Sequence, residues 1–383
     1  LPPDESYIRF LRNVAGGPLP EKMPNMVNDA QLKIALRQAT KRVGFYDWLK
    51  ANFNDLTLTR FYQNDPDDNT PDNEALAIMG NQFGIDWSQY NNDEVADTSQ
   101  NHLAWLVREN LPITKLITDP IVVLPGIKQV DSDYDPTWIN RLQPINVGQQ
   151  APAAGIVSNK LFLSRVPYTP TNLSRNRAYL LMKWFYDLDV FDVASQQMVG
   201  EPPQEAFPEL TVEECAVCHQ QTPLDSTAAS LHNWRAANDY SFNPNNPEDT
   251  TLPPKMLPPQ INGVNMPGFE QDSRLQWVME QFAKDPKLNE NDPNYDKTRE
   301  FPFAKSFVKH VFHWLTGREM MKKPKTGEMN YKEKLKAYEA EMDFLHEKSA
   351  WFRANNYNLR ELVVEIAASK YFRVSGRLSQ PVD

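Results

Sequence analysis

Apolar residues recur at helical spacing through much of the chain. In NDAQLKIALRQATKRVGFYDWLKANF, Asn28 or Asp29 can cap, and Leu32, Ala35, Leu36, Ala39 and Val43 then share a face while Lys and Arg occupy the other. SQNHLAWLVRENLPITKLIT repeats the pattern with Leu103, Leu106 and Val107, and Pro112 marks its stop. From Pro120 to about Leu173 the pattern loosens into short apolar runs such as IVVLPG and GIVSNKLFLSRV, where minor strands and irregular connections are equally expected. NRAYLLMKWFYDL restores helical spacing over 176–188. Four further segments follow it: DSRLQWVMEQFAKD, FAKSFVKHVFHWLTGRE, YKEKLKAYEAEMDFLHEKSAWFRAN and NLRELVVEIAASKYFR. In the last, Asn358 can cap with Glu361 at the third helical position. Residues 236–268 read mostly as loop. The pattern predicts a mainly α, helix-rich and loop-rich protein, divided into an N-terminal helical region (1–120), a connecting region (121–210) and a C-terminal helical region (211–383).

Composition changes this picture in two ways. With 383 residues, 40% of them hydrophobic and including nine Trp and nineteen Phe, the chain has material for a large core. Its formal charge of −10 argues against binding nucleic acid or anionic lipid through bulk charge. The greasiest stretch, AYLLMKWFYDLDVF, is interrupted by Lys183, Asp187 and Asp189, so no membrane span is expected. The first residue is Leu1 and no basic-then-apolar leader precedes LPPDESY, so the numbering is expected to begin after a removed signal or inside a longer precursor.

The only two cysteines, Cys215 and Cys218, stand three apart in EECAVCHQQ, with His219 following at once. A disulfide closing so short a loop would constrain little of the chain. Zinc normally takes four ligands, and there is no second CxxC. A thioredoxin-like pair needs a βαβ setting, whereas this context reads as a Pro-rich loop followed by a short helical turn. Attachment of c-type haem explains all three residues together: each thiol adds to one vinyl group, and the histidine beside them serves as proximal ligand. Because such haem is joined to protein outside the bacterial cytoplasmic membrane, this reading places the chain in the periplasm, at the cell surface or in the medium.

The sixth iron position decides what such a haem does. Met266 in GVNMPGFE and Met256 in PPKMLPPQ are loop methionines able to supply a distal thioether, although methionine is also a common gap-filler. His232 could ligate or bond a propionate, and His310 and His313 stand on one helix face three residues apart. For all three, and for His102 and His346, a structural role is the simpler reading. Arg175, Arg177 and Arg235 are candidate partners for the anionic propionates, against the ordinary alternative of solvated surface arginines. Asp131, Asp133 and Asp135, and separately Asp65, Asp67, Asn69 and Asp72, offer oxygen ligands. Neither stretch has the turn glycine or closing glutamate of an EF-hand, so calcium is a weaker expectation than haem.

The order AGIVSNKLFLSRV, TNLSRNRAYLLMKWF, CAVCHQQTPLD, FAKSFVKHVFHWLTGRE and FLHEKSAWFRANNYNLRELVVEIAASKYFR resembles the large secreted cytochrome-c-like proteins abundant in planctomycetes and also found in proteobacteria. NHLAWLVRENLPITKLIT extends the likeness, which covers roughly residues 100–373. The resemblance implies one covalent haem c on Cys215, Cys218 and His219, export, and electron transfer alongside other exported proteins. Leu224 and Asp225 match the family's segment after the haem motif, but Ser226 stands where the family has proline. The combined expectation is an extracytoplasmic monohaem cytochrome performing one-electron transfer, with a cytochrome-c-like site in the C-terminal half and Met266 as distal ligand. A haem carrier needs only about 100 residues, so the remaining chain suggests redox partner proteins, a larger complex or a homo-oligomer. The rival expectations are a peroxidase-type or oxygenase-type haem enzyme with an open sixth position, and a structural cell-surface haem protein.

Overall fold

The computed structural model describes residues 1–21, 24, 26, 28–57, 59, 79, 82–90, 92–125, 137–149, 151–165, 174–190, 224–231, 234, 260–261, 264–265, 274–285 and 300–374. These residues form a mainly α structure with two small antiparallel ribbons.

The N-terminal helices follow local chemistry closely. α1 (Pro3–Phe10) has proline in its first turn, where no backbone donor is needed, and Asp4 and Glu5 at the positive end of the helix dipole. These signals lie in plain view in LPPDESYIRF, yet the apolar periodicity is too short to announce a helix. α2 (Asp29–Ala39) is capped by Asn28, whose side chain accepts from Gln31 N at 3.0 Å. The amphipathic run does not continue unbroken: a turn over Thr40–Arg42 separates α2 from α3 (Val43–Thr57). Gly44 explains the crossing that follows, since a Cβ there would lie 2.5 Å from the carbonyl oxygen of Ala15.

A short α4 (Asn92–Ala96) leads into α5 (Thr98–Arg108), which packs on α3. Asn110, at φ 53°, turns the chain just before Pro112. α6 (Lys115–Thr118) then precedes β1 (Ile121–Leu124), which pairs antiparallel with β2 (Gln143–Asn146). Val122, Val123 and Leu124 are buried while all of β2 is exposed, so this ribbon covers α5 rather than forming part of a larger sheet. The loosely patterned region also contains α7 (Lys160–Arg165). Near it Gly155, at φ +51°, passes so close to α6 that a Cβ would lie 2.0 Å from Leu116 O.

α8 (Arg175–Phe185) and α9 (Leu224–Ser230) pack together, and α9 also meets α10 (Arg274–Lys284). A two-residue ribbon, β3 (Gln260–Ile261) with β4 (Val264–Asn265), touches α10 through β3. The centre of the C-terminal half is α11 (Pro302–Thr316), packed against α8, α10, α12 (Tyr331–Ala354) and α13 (Leu359–Ala367). Phe303, Phe307, Val308, Val311 and Phe312 are all at most 1% exposed. A helix apolar on so many sides belongs inside the molecule. α13 is capped by Asn358, whose side chain accepts from Glu361 N at 3.2 Å, and is followed by α14 (Lys370–Val374).

α13 joins the two ends of the chain. It packs on α2, with Lys33 pairing Glu365 at 2.5 Å and Arg37 pairing Glu361 at 2.8 Å. Arg360, 9% exposed, donates to the Tyr46 hydroxyl at 2.6 Å and to Val107 O at 2.9 Å. Arg9 donates to Phe372 O at 2.6 Å and stacks on the Phe372 ring. The buried apolar residues form one continuous cluster from Tyr7 to Phe372.

Candidate functional site

Cys215, Cys218 and His219 lie outside the described residues, as do Met256, Met266, Arg235, His232 and the aspartates considered for calcium. The structure does describe the scaffold on either side of the cysteine motif. α8 precedes the motif in the chain, and α9 begins five residues after His219. The short helical turn expected at the cysteines lies outside the described residues; α9, about two turns of helix, follows it in the chain.

α9 is built for close packing. Its sequence LDSTAAS places Thr227, Ala228, Ala229 and Ser230 in buried positions, and such small side chains let helices approach. Ser230 donates its hydroxyl to Thr227 O at 2.7 Å. The Thr227 hydroxyl itself is buried and has no hydrogen-bond partner among the described residues, and the same holds for the hydroxyl of Ser174, ahead of α8. Leu224, Leu231 and Trp234 on the α9 side, Leu181, Met182 and Phe185 from α8, and Val278, Met279 and Phe282 from α10 are buried apolar groups. Tyr186 stacks on Phe282 with centroids 4.5 Å apart.

Two cations are embedded in these elements. Arg177, in the first turn of α8, and Arg274, which opens α10, are each only 2% exposed. Arg175 is half-buried at the start of α8. Burying a guanidinium requires compensating acceptors or negative charge. An apolar surround with two buried, unpartnered hydroxyls is compatible with the flat apolar ring of a haem, while Arg177 and Arg274 already have interactions of their own. The donor set Cys, Cys and His fits the same group.

The helical histidines are used elsewhere. His310 Nε2 lies 3.0 Å from Trp184 O, and its ring stacks on Trp314 and meets Phe307 edge-on. Burial lowers its pKa to about 4, so it is neutral near pH 7. His313 is exposed on the same helix, and the pair does not form a shared site. Among the described residues no group of three or more His, Cys, Asp or Glu is placed to hold a metal ion. His102, 1% exposed, is likewise a core residue, its pKa lowered to about 3 by burial and by Lys115. His346 lies 3.7 Å from Glu300 and packs on Phe301.

Sequence reasoning missed Arg274 and the fully buried thioethers of Met182 and Met279. Helical spacing contained the signal for Arg274: Val278 and Gln281, four and seven residues on, are also buried. An arginine opening an amphipathic helix reads by default as solvated, and only the packing of α10 against α9 reverses that.

No described helix is long and apolar enough to cross a membrane. Comparison with protein families, curated proteins and solved structures gives no match.

Proposed function

We propose that this chain is an extracytoplasmic monohaem c-type cytochrome that transfers single electrons. The observation that carries the reading is the motif itself: the chain's only cysteines, in CAVCH, immediately ahead of a helix packed into an apolar surround. The resemblance to large secreted cytochrome-c-like proteins supports it. When bound, haem c supplies a one-electron iron couple.

The protein's own residues then have defined tasks. Cys215 and Cys218 would hold the group through their sulfurs, and His219 would supply an imidazole nitrogen to its iron. Arg177 and Arg274, both buried, would be positioned to offset propionate charge, with Arg175 and Arg235 as further candidates. Leu181, Phe185, Val278 and Phe282 exclude water, which limits solvent reorganisation and raises the effect of nearby charges on the potential. Met266 is the proposed distal ligand and Met256 its alternative, which would make the site closed and favour electron transfer over substrate chemistry.

The test is optical spectroscopy of protein produced with c-type haem maturation. Covalent haem that survives denaturation, a low-spin spectrum and a near-infrared methionine-to-iron band lost in Met266→Ala are expected. A high-spin spectrum that shifts with carbon monoxide would replace the carrier by a haem enzyme, and absence of covalent haem would end the proposal.

A further inference from the structure

The first turn of α8 gathers positive potential. Ser174 stands at the N-cap position in the left-handed region, at φ 67° and ψ 10°, and Arg175 opens the helix after it. A left-handed residue followed by a right-handed one forms a nest, in which successive backbone N–H groups turn into one concavity that suits an anion. Ala178 N bonds back to Ser174 O, so the backbone donors before it lie ahead of the helical ladder. No acidic side chain stands in that turn. Arg175 and Arg177 stand there instead, where the helix dipole opposes a cation. Asn176, between them, is exposed, so the turn reaches solvent.

The serine hydroxyl is the second feature. Ser174 is 1% exposed, and its Oγ neither caps the helix nor meets any other partner among the described residues. A serine at this position ordinarily caps, accepting an N–H from the second or third helical residue. Here the hydroxyl keeps its own donor to offer, beside the donors of the nest. Thr227, on the helix α9 that packs against α8, adds another buried hydroxyl with no partner among the described residues. Native structures leave few buried hydroxyls in that condition, because an unmade hydrogen bond there is costly. Arg175 and Arg177 have interactions of their own and set the sign of the local potential.

We propose that the N-terminal turn of α8 is an oxyanion site, in which Ser174 Oγ and the backbone N–H groups of residues 174–176 hold a carboxylate or phosphate group beside Arg175 and Arg177. A bound water would satisfy the hydroxyl but would leave two cations at the positive end of a helix dipole. An oxyanion answers both, since its oxygens accept several donors at once and its charge reverses the sign of the turn. Two sources carry this chemistry. A haem propionate is one, and it rests on the cytochrome reading above; free phosphate is the other, and it does not.

Calorimetric titration of the full chain with inorganic phosphate, in phosphate-free buffer, tests the site. Ser174→Gly keeps the left-handed backbone and removes only the hydroxyl, and an unchanged circular dichroism spectrum shows that it folds. Saturable single-site binding, weakened about tenfold in Ser174→Gly and in Arg175→Gln, is the loss expected for one hydrogen bond or ion contact to a charged group and assigns the site to free phosphate. Haem-loaded protein that gives no heat with phosphate, but whose propionate bending band in the resonance Raman spectrum shifts in both variants, assigns it to the haem carboxylate. Phosphate binding that both variants leave intact overturns the inference, as does no binding together with an unmoved propionate band. A chain that carries no covalent haem ends the cytochrome reading alone; the phosphate titration then decides this one, and absence of binding overturns it.

Discussion

Replacing His102 by leucine should make the protein less sensitive to acid. The imidazole is 1% exposed in α5, its Nε2 has no hydrogen-bond partner among the described residues, and Lys115 adds positive potential. Its pKa falls to about 3 in the native state from the ordinary value of 6.5. The native state therefore resists protonation while the unfolded chain accepts a proton readily, so stability is lost as the pH falls below 6.5. Linkage with these two values gives a loss of about 2 kcal/mol between pH 7 and 5, rising to roughly 4–5 kcal/mol once the pH is below 3. Leucine keeps the ring's approximate bulk, removes an unsatisfied buried nitrogen and abolishes the titration. Urea unfolding of parent and His102→Leu at pH 7 and pH 5 reads the effect as a change in midpoint at constant slope. The variant should retain about 2 kcal/mol more than the parent at pH 5, relative to their difference at pH 7. Equal losses in both proteins would refute the reasoning, because the parent's acid sensitivity would then arise elsewhere.

Other substitutions test separate parts of the structure. Asp285 accepts Phe303 N at 2.9 Å and Ala304 N at 3.0 Å, capping α11 from the end of α10, so Asp285→Ala should cost roughly 2–3 kcal/mol in denaturant unfolding. Burial raises that carboxyl to about 6. Its contribution is thus fully present below about pH 4 and lost as the pH rises through 6, and Asp285→Asn should gain about 1 kcal/mol on the parent between pH 5 and 7. Gly155→Ala combines φ +51° with a Cβ 2.0 Å from Leu116 O and should cost more than about 3 kcal/mol, visible as a lowered melting temperature. In the haem-loaded protein, Arg177→Gln and Arg274→Gln should each lower the midpoint potential by tens of millivolts, since a tenfold change in a one-electron equilibrium corresponds to about 59 mV. Unchanged potentials would separate both arginines from the propionates.

Local rules made part of this legible in the sequence. Asn28 and Asn358 cap as their spacing suggests, and the stop of α5 before Pro112 follows from that proline and the left-handed turn at Asn110. α11 could be read from the apolar residues of FAKSFVKHVFHWLT. The break at Thr40–Arg42 could not, because it depends on Gly44 passing Ala15, a contact between segments whose approach no periodicity encodes. The same limit hid the burial of Arg177, Arg274 and Lys305, charged residues that are 2%, 2% and 4% exposed only because several helices converge on them. The cysteine motif lies outside the described residues, so the chemistry expected of it rests on the sequence alone.

The tie between α13 and α2 governs when the protein can fold during synthesis. Glu361 and Glu365 emerge more than 300 residues after their partners Arg37 and Lys33, and Arg360 follows Tyr46 by 314 positions. At about 5–20 residues per second, the ribosome needs roughly 15–65 s to bridge that interval. Throughout it, the faces of α2 and α3 that α13 will cover have no native partner. A chain that completes the packing of its first helices only with its last ones leaves that part of the core open for most of its synthesis.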